Sequence, residues 1–145
     1  MLNIAGICRQ FGGSTKLGIE VTSFTDLGRL VEHGIPQPAL AAFIGSMTAD
    51  KMCPTPIFIQ EGLVSKAAFN QNSTFKGALA ERILRAAHLR AVAEDVIGSP
   101  QGANEFLFRN HIELGGVSPF EASASVTGAR AAERILESAA LGLPL

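Results

Sequence analysis

The chain has 145 residues, 47% of them hydrophobic and 17% charged, with a formal net charge of −1, which supports one or two domains with a real core and excludes a disordered tail or a disulfide miniprotein. Cys8 and Cys53 are too far apart for a C-x-x-C ligand pair, which fits a reducing compartment. The apolar runs are short and no basic flank precedes one at the amino terminus, so the expectation is a soluble cytoplasmic protein with no membrane partner; near-neutral charge means that any DNA contact must come from a local patch.

Residues 1–24, with Gly6, Gly12, Gly13 and Gly18 followed by Val21, Thr22 and Phe24, read as an irregular or weakly extended arm. Ser23 or Thr25 caps a helix over 25–33, with Leu27, Leu30 and Val31 at helical spacing and Gly34 as its stop. Ile35-Pro36-Gln37-Pro38 is extended, because proline restricts the residue before it. Leu40, Phe43, Ile44 and Met47 then give a second helix over 37–45. Thr48 caps a brief turn through Met52, which Cys53-Pro54-Thr55-Pro56 interrupts. Thr55 and Pro56 restart a helix as cap and first position, Gly62 ends it, and Ser65 caps a further one over 66–71.

The longest helix begins at Ser73 or Thr74 and ends at Gly98, with Leu79, Ile83, Ala86, Leu89, Ala93 and Val96 on one stripe and Glu81, Arg82, Arg85 and Glu94 mostly off it. Ser99-Pro100 opens a helix that runs to about Asn110 with Ala103, Phe106 and Leu107 inward. Leu114-Gly115-Gly116 is a turn. Ser118-Pro119 starts a short helix with Glu121 as its capping-box partner, and Thr127 caps the last helix, 128–140, which Gly142 closes. The fold class is therefore all-α.

Chemistry-bearing patterns are sparse. His33, His88 and His111 have no partner at metal-ligand spacing and read as surface or helix-end residues, so no metal site is expected. Gly12-Gly13-Ser14-Thr15-Lys16 has the wrong order for a phosphate loop, no G-x-S-x-G elbow occurs, and no histidine lies near Cys8 or Cys53. Glu94 and Asp95, adjacent on a helix, point roughly 100 degrees apart and do not converge on one substrate atom. The expectation is a protein that is not an enzyme and needs no cofactor.

Two features suit macromolecular partners. Pro56 to Gln71 has the size of a helix-turn-helix, bent at Gly62, with Ser65, Lys66, Asn70 and Gln71 on its second helix and Lys76 just beyond. Asparagine and glutamine fit adenine edges, and serine and lysine fit phosphate or guanine. From 48 to 76, Lys51, Lys66 and Lys76 outnumber Asp50 and Glu61 by a single charge, and the competing reading is an ordinary helical hairpin. From 105 onward the chain is acidic, with Glu105, Glu113, Glu121, Glu133 and Glu137 against Arg109, Arg130 and Arg134. It ends in the apolar tail Leu143-Pro144-Leu145, which either frays or docks a carboxylate into a basic pocket on a partner.

Residues 79–142 resemble the toxin-binding region of Xre/MbcA/ParS-type antitoxins, the partners of RES-domain toxins in type II toxin-antitoxin modules. The resemblance lies in a long helix carrying Glu81-Arg82 and Arg85 and closing with Glu94-Asp95-Val96-Ile97-Gly98, then Ala103, Phe106 and Leu107, then Asn110, Leu114-Gly115-Gly116 and Pro119, then Gly128, Ile135-Leu136 and Gly142. Phe106 stands where many members have tryptophan, and the segment after Gly62 lacks the arginines common in family recognition helices. Beyond the arm read over 1–24, the resemblance implies a degenerate Xre-like helix-turn-helix bundle for DNA binding and dimerisation over 25–76 and a small helical toxin-binding domain over 77–145. It implies an antitoxin that occludes the active site of a NAD-consuming toxin and represses its own operon as a homodimer or larger complex with toxin. The expected toxin contacts are Glu105, Arg109, Glu113, Glu133, Glu137, Leu143, Pro144 and Leu145; the expected operator contacts are Ser65, Lys66, Asn70, Gln71 and Lys76. The alternative is a helix-turn-helix transcription regulator whose carboxyl-terminal domain serves oligomerisation.

Overall fold

A computed structural model describes residues 3–48 and 63–144. The chain is mostly helical: α1 (Ile4–Gln10), α2 (Ser14–Leu17), α3 (Phe24–His33), α4 (Gln37–Thr48), α5 (Lys66–Gln71), α6 (Gly77–Ile97), α7 (Pro100–Phe108), a 3-10 turn (Ile112–Leu114), α8 (Pro119–Ala122) and α9 (Val126–Ala140). One two-residue strand pair joins β1 (Ile35–Pro36) to β2 (Thr74–Phe75), antiparallel, with Ile35 opposite Phe75. Among the described residues no helix is long and apolar enough to cross a membrane. The segment Pro56 to Gly62, the first half of the expected helix-turn-helix, lies outside the described residues, as do the turn after Thr48 and Leu145.

The cap-and-stop signals act locally. Ser23 accepts the Asp26 amide at 3.3 Å, and its hydroxyl donates to the Asp26 carboxylate at 3.1 Å, closing a reciprocal cap on α3. Ser99 accepts the Gly102 amide at 3.0 Å and Ser118 the Glu121 amide at 3.2 Å, ahead of Pro100 and Pro119. Gly34 ends α3 with φ +104°, and a Cβ there would meet Thr74 Cβ at 2.7 Å, so glycine serves both the turn and the close passage of β2.

Three expectations are corrected. The arm forms two helices: Asn3 caps Gly6 at 2.8 Å, and Ile7, Phe11 and Leu17 enter the core. Packing against the long helix overrides the glycine content, as it does for most short helices. Second, α6 starts at Gly77, because Thr74 and Phe75 are taken by the extended partner that Ile35-Pro36 requires. Third, Ser125 rather than Thr127 caps α9, accepting the Gly128 amide at 3.0 Å.

Helix α6 is the centre of the molecule, packed by α9, α7, α1 and α3. Ala80, Ala86, Ala87, Ala91 and Ala93 are fully or almost fully buried and let neighbours approach closely. Being covered on several sides, it buries more than the one stripe expected, and Arg82 and Arg90 go inside with it. A single apolar cluster, from Ile7 to Leu136, draws on all three sequence segments, 1–24, 25–76 and 77–145.

Candidate functional site

Two buried arginines set the frame. Arg82 donates to Ser123 Oγ at 2.8 Å and to the Phe120 carbonyl at 3.1 Å, and its guanidinium lies 4.9 Å from the Phe120 ring centroid. Burial, with Arg85 beside it, lowers its pKa to about 10. Arg85 donates to the Ser123 and Ala124 carbonyls. Arg90 donates to Asn104 Oδ1 (2.9 Å), Gln10 Oε1 (2.6 Å), Glu94 Oε1 (2.6 Å) and the Ser46 carbonyl (3.3 Å), joining α1, α4, α6 and α7. Charged residues alone suggest a solvated face; apart from Glu94, four residues beyond Arg90, the partners that bury these lie farther along the chain and leave no local signal.

A cleft of about 470 Å³ is lined by Asn3, Val92, Asp95, Val96, Glu133, Glu137 and Ala140. Its walls are the start of α1, the end of α6 and the second half of α9, and its floor is apolar. Three carboxylates rim it. Glu133 accepts from His88 Nδ1 at 2.8 Å, and that hydrogen bond holds its carboxyl below the ordinary value despite partial burial. Asp95 accepts from Asn3 Nδ2 and lies 3.8 Å from the Arg9 guanidinium. Glu137 is exposed. Glu94, one residue from Asp95, lines a different cleft of about 300 Å³ with Arg9, Gln10, Ser46, Arg90 and Pro100, so the two adjacent acids diverge as helical geometry requires.

Of the eight residues expected to meet a toxin, Glu133 and Glu137 thus share a cleft, joined there by Asp95 and Asn3, which sequence reasoning missed. Glu105 and Arg109 line a separate cleft of about 100 Å³ with Ile97, Gly102, Phe106 and His111. Glu113 is exposed on the 3-10 turn. Leu143 and Pro144 are exposed, and the Leu143 amide donates to the Ser138 carbonyl at 3.1 Å, tying the tail back to α9. Leu145 lies outside the described residues. The histidines need correcting as well: His33 ends α3 in solvent, but His88 is half-buried against Glu133 and His111 is buried.

The expected operator contacts gather around α5. Lys66, Asn70, Gln71 and Lys76 are exposed. The Ser65 hydroxyl is engaged as the helix cap, accepting the Ala68 amide at 3.1 Å. Helix α5 buries no residue outright; Phe69 stacks on Phe75 at 6.3 Å, and Gln37 Nε2 donates to the Phe69 carbonyl at 2.8 Å. At six residues it is only about 9 Å long. No family model matches this chain, and no curated protein matches it either.

Proposed function

We propose that this chain is an antitoxin that neutralises a NAD-consuming RES-type toxin by covering its active-site entrance, and that it binds its own operator through α5. The observation that carries this reading is the charge and shape of its carboxyl end. Glu137, with Asp95 and Glu133, rims an apolar-floored cleft, and Leu141 and Leu143 stand exposed just beyond it. A pocket that binds a dinucleotide presents positive charge to phosphates, and an acidic surface with an apolar tip complements it. The antitoxin performs no bond-making; it excludes the substrate.

Exposed Lys66, Asn70, Gln71 and Lys76 supply groups that suit phosphates and adenine edges, and two half-sites call for a dimer or a larger complex with toxin. The same four residues favour the second reading, a transcription regulator whose carboxyl-terminal region only oligomerises. Co-expression with the product of the adjacent reading frame separates the two. An antitoxin co-purifies with that product and suppresses its toxicity, and loses both properties when Leu143 to Leu145 are removed. A chain that binds DNA but leaves the neighbouring product free and toxic is a regulator only.

A further inference from the structure

The cleft between the ends of α6 and α9 carries more negative charge than its helices favour. Asp95 lies in the last turn of α6 and Glu137 in the last turn of α9, and neither turn holds a basic residue. A helix presents the negative end of its dipole there, so both acids oppose the local electrostatics, and Glu133 adds a third carboxylate one turn back. Such conflict is expected where a site serves a partner. None of the described residues that line the cleft is lysine or arginine, and the ion pairs among the described residues do not involve Glu137. Arg9 reaches Asp95 from outside the lining, at 3.8 Å between exposed groups, a pair worth little.

Shape selects among the cations that could answer this charge. Among the described residues no three acidic, histidine or cysteine side chains are placed to hold a metal ion, so the carboxylates do not focus on one point. The volume of about 470 Å³ is also many times the roughly 30 Å³ that one water molecule occupies. Val92, Val96 and Ala140 give the acids an apolar floor. A long side chain with an apolar stem and a broad cationic head matches both features. The methylenes of an arginine cover the valines, while its planar guanidinium, with five N–H donors in a fixed fork, serves more than one carboxylate. Lysine brings a point charge, which spread acceptors suit less well. Arginines also rank among the residues that anchor protein interfaces. Leu141, 84% exposed, and Leu143, 58% exposed, supply apolar contact around such an anchor.

We propose that this cleft is a socket for an arginine side chain on the surface of a partner protein. That the partner is the toxin rests on the antitoxin reading; that the socket takes a guanidinium does not. The test is a titration of the full chain, with 13C-labelled valine methyls, against N-acetylarginine methylamide. Val92 and Val96 are expected to shift saturably in the millimolar range, with Val126, at the opposite end of α9, as the internal reference. N-acetylcitrulline methylamide, of the same shape without the charge, is expected to give no saturable shift. Glu137→Gln and Asp95→Asn, checked for folding by circular dichroism, are each expected to weaken arginine binding by about threefold or more, the loss of one partly exposed charge contact. No saturable shift with the arginine probe, equal binding of the citrulline probe, or undiminished binding by both folded variants would overturn the socket. Arginine binding by a chain that leaves the adjacent gene product active supports the socket and removes only the toxin as its partner.

Discussion

Replacing Arg90 with methionine, close in volume but without donors, tests the buried polar network directly. Arg90 is 3% exposed and donates to Gln10, Glu94, Asn104 and the Ser46 carbonyl. Asn104 Nδ2 and Gln10 Nε2 retain the Ser46 carbonyl and Glu94 as partners, but the Glu94 carboxylate loses its counter-charge at a partly buried position. Breaking one partner of such a pair costs about 3–5 kcal/mol, more than the lost packing of one polar head. With a urea m-value of about 2 kcal/mol/M, the midpoint of unfolding falls by about 1.5–2.5 M. Glu94→Gln in the Arg90→Met background removes the stranded charge, so the double variant is expected to lie well above the sum of the two single losses. An Arg90→Met midpoint within about 0.3 M of the parent's, far below the loss expected for an uncompensated buried charge, would refute this reasoning.

Ser123→Ala removes a fully buried hydroxyl that accepts from Arg82 and donates to the Phe120 carbonyl at 2.7 Å, and should cost about 1–3 kcal/mol by chemical denaturation. Gly128→Ala places a Cβ against the Ala122 carbonyl where α8 meets α9, and should destabilise by about 1–3 kcal/mol despite alanine's better helix propensity; calorimetry showing a gain would contradict the contact. Glu133 has its folded pKa lowered, chiefly by the His88 hydrogen bond, below the reference value of 4.5. Its contribution is therefore fully present above that value and is lost as pH falls through the folded pKa. Stability measured from neutral to acidic pH should drop less steeply for Glu133→Gln than for the parent chain, and identical slopes would count against the pair.

Elements with local punctuation were readable in advance. Ser23 with Gly34, Ser65, Ser99-Pro100 and Ser118-Pro119 each carry their own cap or stop, so α3, α5, α7 and α8 follow from a few neighbouring residues. Helices α1 and α2 were not readable, since four glycines in the first eighteen residues argue against them, and packing on α6 and α4, with the Asn3 cap on α1, secures them. Strand β2 escaped notice because Thr74 looks like a cap until Ile35 lies opposite Phe75. The candidate site shows the same divide. Glu133 and Glu137 stand out as acids on one helix, whereas Asn3, His88 and Asp95 join them only through contacts more than forty residues apart. Arg82 and Arg90 resemble a solvated face until Ser123, Phe120, Gln10 and Asn104 close over them.

The most direct test of the proposed function is the rate of NAD loss in a mixture of the purified adjacent gene product with this chain. Full-length chain should stop NAD consumption at a stoichiometric ratio. A variant carrying Glu137→Lys, at an exposed position of α9, and lacking Leu143 to Leu145 should leave much of the activity uninhibited. NAD loss at the same rate with and without the full chain, or inhibition unchanged by that variant, would contradict the account.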